Sequence, residues 1–315
     1  MTDLLRNLRP AQARLIAAIE RHGQLQVAAS ECGMTQPAAS RLLAELERQL
    51  ETRLFIRTPK GMEPTPSGTL LARHAARMVF DLGQLSEEFA ELQTGKGGLV
   101  RVGAVTGPAL GQLVPAIQRL KQQAPMVNIS VEVAPSLVLT QALERGDLDF
   151  VLARLPPHVD QRDFEIEPAR NEIVQLLVRD EHPMLGQGPV SIGSLHRLPW
   201  ILQDRGAPIR QAIEAAFHDE GLVAPNDVIT TSSLLVIIAL LKESDAIAPM
   251  SMEVIELMLE PPVSAGFRRL ELKRQVVVDP YLIIRGRGRR LSRAAEILLS
   301  FTRERIASVV APRSS

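Results

Sequence analysis

Apolar residues recur at helical spacing through residues 1 to 62, and glycine and proline fall only at breaks. Leu4, Leu8, Leu15, Ile16 and Ile19 predict a helix with one face packed inward and Pro10 near its start. A second, short helix runs through "LQVAASEC" and stops at Gly33. Thr35 then offers an N-cap hydroxyl. Pro37 occupies the first turn, where its missing N–H costs nothing, and "AASRLLAELERQL" follows. Helix, tight turn with glycine, helix is the outline of a helix-turn-helix.

After the break at Pro64-Thr65-Pro66-Ser67-Gly68, one long helix is predicted to about Gln93. Leu71, Ala75, Met78, Leu82, Leu85, Phe89 and Leu92 fall at alternating steps of four and three, an a/d seam that predicts a dimerising helix. The other reading of the stripe is a helix lying on its own domain. "TGKGG", residues 94–98, ends the helix as a hinge.

Beyond the hinge the period changes. Strand "LVRVGAV", helix "ALGQLVPAIQRLKQQAP", strand "VNISVEVA", helix "LVLTQALERGDLD" and strand "FVLARLP" follow in order. That alternation predicts a parallel sheet with helices on both faces. A second unit comprises strand "EIVQLLVR", helix "RQAIEAAFHDEGL", strand "DVITT", helix "SLLVIIALLKES" and "DAIAPM". An amphipathic helix, "LSRAAEILLSFTRERIASV", closes the chain.

Composition narrows the picture. The 315 residues suffice for two or three domains. The 36 basic and 36 acidic residues cancel, which excludes a wholly basic nucleic-acid coat protein but not a local basic surface. Cys32 is the only cysteine, so there is neither an intrachain disulfide nor a cysteine cluster for zinc; this fits a reducing cytosol. The N-terminus lacks a signal-peptide core, and no segment reaches the ~18 apolar residues of a membrane span. The expectation is a cytoplasmic protein with no membrane partner, no cofactor and no metal. P-loop, nucleophile-elbow and His-Glu-x-x-His motifs are missing, and Gly103, Gly107 and Gly111 do not form a dinucleotide fingerprint. The basic "RGRGRR" at 285–290 has no interleaved aromatic and reads as a solvated loop, while His182 in "DEHPML" reads as structural.

Within the helix after the turn, Gln36, Ser40 and Arg41 lie near the N-terminus, where a helix in the major groove meets base edges. Arginine pairs with guanine, glutamine with adenine, and Pro37 suits a thymine methyl. Leu42, Leu43, Leu46 and Leu50 form the opposite, inward face. Arg53, Arg57 and Lys60 crowd the following segment, placed for phosphates or the minor groove.

Residues 28 to 68, "AASECGMTQPAASRLLAELERQL" and then "RLFIRTPKGMEPTPSG", resemble the winged helix-turn-helix signature of LysR-type transcriptional regulators. The resemblance extends over the remaining chain. It implies an α + α/β protein with a winged helix-turn-helix at 1–66, a linker dimerisation helix at 67–94 and an effector-binding domain at 95–315. That last domain would be periplasmic-binding-protein-like and two-lobed, with lobe I about 98–165 and 270–315 and lobe II about 166–269. By the same resemblance Gln36, Pro37, Ser40 and Arg41 contact bases, Thr35 caps the helix and touches phosphate, and Arg57 and Lys60 belong to the wing. Pro64-Thr65-Pro66 replaces a commoner Leu-Thr, and Cys32 stands where leucine is frequent.

In such a domain the ligand collects between the lobes, at the carboxyl ends of strands. Thr106, Ser136, Ser232 and Ser233 sit in turns before helices, and Arg154 and Arg205 offer a paired grip on a carboxylate. Hydroxyls in such turns are also ordinary N-caps. The donors favour a small organic anion, and a neutral sugar fits the hydroxyls as well.

The expected function is a sequence-specific, effector-controlled transcriptional regulator on double-stranded operator DNA. The resemblance implies a homodimer through the linker helix, assembly to a tetramer, and activation through RNA polymerase, repression, or both. A solute-binding transport module is opposed by the attached helix-turn-helix, and an enzyme by the lack of a nucleophile–base constellation.

Overall fold

The structure, a computed structural model, describes residues 8–94, 97–157, 159–261, 263 and 266–308; the side chains of 84, 87, 88 and 90–94 are outside the described set. Leu4 and two of the expected hinge residues, Gly95 and Lys96, also lie outside it.

Helices α1 (Pro10–His22), α2 (Leu25–Glu31) and α3 (Gln36–Leu50) pack around one apolar cluster built on Leu15, Ile16, Ile19, Ala28, Leu43 and Leu46. The turn between α2 and α3 passes through Gly33 at φ 68°, a left-handed conformation that disfavours any side chain. Strands β1 (Phe55–Thr58) and β2 (Gly61–Pro64) form the antiparallel hairpin of the wing. The linker helix α4 (Pro66–Thr94) then starts, with the Thr65 hydroxyl accepting from Gly68 N at 3.1 Å.

The apolar stripe on α4 divides in two. Leu71 and Ala75 are buried in the head's own core together with Ala72 and Ala76, and Met78 packs on its margin. Within one chain, α1 packs against this part of α4. Leu82, Leu85 and Phe89, further along, are exposed, and the Leu92 side chain is outside the described residues.

Lobe I is a five-stranded sheet in the order β4 (Asn128–Val133), β3 (Leu99–Ala104), β5 (Phe150–Ala153), β13 (Leu282–Gly286), β6 (Phe164–Pro168). β3 runs parallel to β4 and β5, whereas β13 is antiparallel to β5 and β6, so the sheet is mixed rather than wholly parallel. Alternation along β5 sends Phe150 and Leu152 to one core and Val151 and Ala153 to the other. The first core is closed by α5 (Val114–Gln123) and α10 (Arg293–Ser308), the second by α6 (Ser136–Arg145). The helical run before α5 opens at Thr106–Pro108 and includes a π-helical turn, Ala109–Leu113.

Lobe II is antiparallel about its central strand β7 (Glu172–Arg179), which pairs with β10 (Ala248–Ser251), β11 (Phe267–Leu270) and β12 (Val276–Val278). β8 (Trp200–Leu202) and β9 (Val228–Thr230) add a parallel pair, joined through a Trp200–Ile247 bridge. Helices α7 (Pro208–Asp219), α8 (Leu234–Lys242) and α9 (Met252–Leu259) cover it. The chain crosses between the lobes after β6 and before β13. The expected lobe boundaries, 165/166 and 269/270, fall instead inside β6 and β11. Both strands are short, and their pairing through β13 and β7 is non-local. Local pattern therefore placed both breaks early, the second ahead of β12, which still pairs with β7.

Candidate functional site

The head presents one continuous polar surface. Thr35 Oγ1 accepts from Ala38 N at 3.4 Å, starting α3 as its cap, and Gln36, Pro37 and Arg41 stand exposed on the first turns. Ser40 is half-buried because the wing reaches it: Arg57 Nη2 donates to Ser40 Oγ at 3.0 Å. Arg53 and Lys60 are exposed on either side of the hairpin strand β1. Glu47, absent from the sequence reading, holds the wing in place. Its Oε1 accepts from Leu54 N at 2.8 Å and Phe55 N at 3.2 Å, and Arg53 Nη1 lies 3.5 Å from its other oxygen. A glutamate on the inner half of a helix facing a following strand is the signal that could have found it.

In the two-lobed domain, Thr106, Ser136 and Arg154 follow three neighbouring strands of lobe I, β3, β4 and β5. Thr106 is exposed, and the N-cap position is Val105, without a side-chain cap, so the Thr106 hydroxyl is not used to start its helix. Ser136 Oγ accepts from Arg154 N at 3.1 Å. In lobe II, Ser232 Oγ donates to Asp204 Oδ2 at 2.9 Å, Ser233 is the N-cap residue of α8 without a side-chain cap bond, and Arg205 is exposed in the same loop cluster after β8.

Arg154 departs from its expected role. Its Nη2 pairs with Glu172 Oε2 at 2.8 Å, and its Nε donates to Asp279 O at 2.8 Å. Glu172 begins lobe II and Asp279 leads back to lobe I, so this guanidinium ties the two crossings together. A carboxylate ligand would have to displace Glu172 to gain the paired grip.

The lobes meet closely at this point. A Cβ on Gly107 would come within 2.6 Å of Glu172 Oε1 and 2.9 Å of Ser251 Oγ. Burial is the largest influence on the Glu172 carboxyl and raises its pKa, with Arg154 opposing. Burial likewise pushes the Tyr281 phenol up. Ser251 Oγ, Tyr281 OH, Gln112 Oε1 and Glu253 Oε2 are buried here without a hydrogen-bond partner among the described residues. None of these was legible locally, since β10, the return crossing, the lobe I helical run and α9 contribute one residue each. Among the described residues no group of three or more His, Cys, Asp or Glu is arranged to hold a metal ion, and no described helix is long and apolar enough to cross a membrane.

A winged helix-turn-helix with an exposed reading face, joined by a long helix to a two-lobed α/β domain, defines a DNA-binding regulator with a ligand-sensing domain. Residues 10–69 match the bacterial regulatory helix-turn-helix protein of the lysR family, and residues 93–307 match the LysR substrate binding domain. The chain belongs to the LysR family of transcriptional regulators.

It is 37% identical over 245 residues to the HTH-type transcriptional regulator GbpR of Rhizobium radiobacter, covering 77% of this chain and 81% of that one. It is 34% identical over 291 residues to GbpR of Azospirillum brasilense, covering 92% and 84%. Among solved structures, full-length CbnR complexed with its target DNA shares the fold with a TM-score of 0.60 at 17% identity, covering 95% of this chain and 100% of that one. The matched relatives are transcriptional regulators, not enzymes, and the family binds operator DNA and small-molecule effectors and forms oligomers.

Proposed function

We propose that this regulator reads a partly dyad-symmetric operator with Gln36, Pro37, Ser40 and Arg41, while Thr35, Arg53, Arg57 and Lys60 hold the phosphates. The observation that carries the reading is the Arg57–Ser40 hydrogen bond, which joins wing and recognition helix into one surface. The protein works in the cytoplasm as a dimer through the exposed half of α4, Leu82, Leu85 and Phe89. Pairs of dimers join through the effector domains. Strand β4 is an unpaired edge with exposed Val131 and Val133, and lobe II exposes Ile229, Leu235 and Val236, which supports a second interface. The regulator acts by contact with RNA polymerase or by occlusion of the promoter.

The effector is a small organic molecule held between the lobes by Thr106 and Ser136 from lobe I and by Arg205, Ser232 and Ser233 from lobe II. Because Glu172 answers the charge of Arg154, an anionic effector relies on Arg205 and on backbone N–H groups at helix starts.

Selection of random duplexes with the purified protein tests the DNA reading. Enrichment of two related half-sites is expected, and a selected pool no tighter than the starting pool would refute it. A thermal-shift screen of small metabolites tests the cleft. A hit should stabilise the native protein and lose its effect in Thr106→Val and Ser136→Ala. A hit unaffected by both substitutions places the effector elsewhere.

A further inference from the structure

The linker helix does not stand clear of the effector domain. Asp163, half-buried before β6, accepts from Arg73 Nη1 at 2.8 Å and from Arg77 Nη2 at 3.0 Å, both on α4. One turn further along α4, the buried Phe80 side chain lies against Gly146, where an added Cβ would come within 2.9 Å of the Phe80 Cβ and 3.0 Å of its ring. The Arg289 guanidinium sits over the same ring, 5.1 Å from its centroid. Arg289 also donates to Leu143 O at 2.6 Å and Glu144 O at 2.7 Å, among the last carbonyls of α6. Arg21 of α1 reaches Asp147 at 3.2 Å. The basic run at 285–290 is therefore not a solvated loop: Arg285 pairs with Glu165, Arg287 bonds Phe164 O, and Arg289 is spent on this junction.

Apart from Asp163 and Arg289, the lobe I side of the contact is the C-terminal end of α6 and the turn after it. The other end of α6 is Ser136 at the cleft. The helix is ten residues long, about 15 Å at 1.5 Å per residue. Ser136 Oγ holds Arg154 N, and Arg154 holds Glu172 of lobe II. A continuous set of bonds and one rigid helix thus runs from the lobe junction to the linker helix.

The balance of charge at the contact makes it a poised one. Arg73, Arg77 and Arg289 converge there, and Asp163 is the carboxylate that pairs with two of them. Burial first, and then Arg77, depresses the proton affinity of Arg289. Without the Asp163 charge, Arg73 and Arg77 lose the ion pair that ties α4 to lobe I, and Glu144, Asp81, Asp147 and Asp149 are left to offset the three guanidinium groups, which favours opening.

We propose that this junction is a latch that fixes the angle between the DNA-reading head and lobe I. Asp163 is its positioning residue, and α6 is the lever that carries displacement at the cleft to it. The lever rests on the reading of the cleft as the effector site; the latch does not.

The test uses full-length protein carrying Cys32→Ser, with spin labels at His74→Cys on α4 and Gln141→Cys on α6, both exposed. Labelled subunits are diluted into unlabelled protein so that only intrachain distances are read. A single narrow distance is expected, replaced by a broad or longer distribution in Asp163→Asn and in Arg73→Ala/Arg77→Ala, and restored in Asp163→Glu. Affinity of Asp163→Asn for a one-half-site duplex should match wild type, because the reading face is untouched. Its affinity for the selected two-half-site duplex should shift within the roughly 5–150-fold range of allosteric coupling.

Ser136→Ala should also alter the label distance. Should Asp163→Asn fold poorly, Arg77→Gln provides the same reading. An unchanged distance in Asp163→Asn, or in Arg77→Gln in its place, overturns the latch, and an unchanged distance in Ser136→Ala overturns the lever. A cleft that binds nothing in the thermal-shift screen refutes the effector-site reading alone, since none of the distance measurements needs an effector.

Discussion

Arg57 on the wing donates a hydrogen bond to Ser40 on the recognition helix across 3.0 Å, seventeen residues away in sequence. The bond orients a planar guanidinium along the surface where a phosphate backbone would pass, before any DNA is present. Pre-orientation of this kind lowers the ordering cost of binding. Arg57→Ala should therefore weaken operator binding and reduce the slope of log K against log salt by about 1, as expected for one lost phosphate contact. Arg57→Lys should keep the slope yet bind less tightly, because an ammonium cannot hold Ser40 and phosphate in one plane. Anisotropy titrations of the selected duplex at several salt concentrations measure both. An Arg57→Ala slope equal to wild type would remove the wing from the phosphate path.

Glu47 fixes where that wing starts. Its carboxylate accepts from Leu54 N and Phe55 N, both on residues with buried side chains. Glu47→Ala strands these donors and should destabilise the head by about 1–3 kcal/mol. Glu47→Gln keeps an amide oxygen in place and should cost less. Hydrogen exchange at the Leu54 and Phe55 amides reports it directly: faster in the alanine variant, near wild type in the glutamine one. Equal protection in all three would mean that the wing is held by its apolar contacts instead.

The head was legible in the sequence because its signals are local. The cap at Thr35, proline in the first turn of α3 and the inward leucines each act within a few residues, and the structure keeps all of them. What pairs across distance was not legible. The antiparallel return of β13, the β7 ladder and the Arg154–Glu172 bond depend on partners far apart in sequence. The stripe on α4 is ambiguous in the sequence for a related reason. A 3-4 apolar spacing is the same whether the helix meets a second copy or its own α1, and only the packed head shows that Leu71 and Ala75 are already covered.

His182 is buried in lobe II and hydrogen-bonded at both ring nitrogens. The side chain is buried, Nδ1 accepts from Met184 N at 3.2 Å, and Nε2 therefore carries the proton that faces Asp245 O at 3.1 Å. Burial lowers its pKa below the ordinary 6.5; Arg179 adds to the shift, while the carbonyl and charge of Asp245 oppose it. The unfolded chain thus binds the proton more readily than the folded one. The neutral ring's contribution is complete above about pH 6.5 and is lost as pH falls through the depressed value. His182→Gln should cost about 1–2 kcal/mol at pH 8 through weakened bonds. It should also flatten the fall in melting temperature between about pH 7.5 and about pH 5. A fall as steep as in wild type would assign the pH response to other groups.

Leu71 and Leu85 stand two heptads apart on one stripe of α4, yet the first is buried and the second is 49% exposed. Their substitutions should separate folding from assembly. Leu85→Glu and Phe89→Glu place charge on the free half of the stripe and should yield monomers in sedimentation experiments, with the helical content of the head retained. Leu71→Ala removes a side chain from the head's core and should cost about 2–5 kcal/mol, with the dimer surviving below the lowered melting temperature. The reverse pattern, monomers from Leu71→Ala and intact dimers from both glutamate variants, would return the seam to the N-terminal half of α4. Loss of operator affinity in Leu85→Glu should follow from halved valency, since each reading face is intact and only its partner is missing. Joining two Leu85→Glu chains by a flexible tether should then recover much of that affinity.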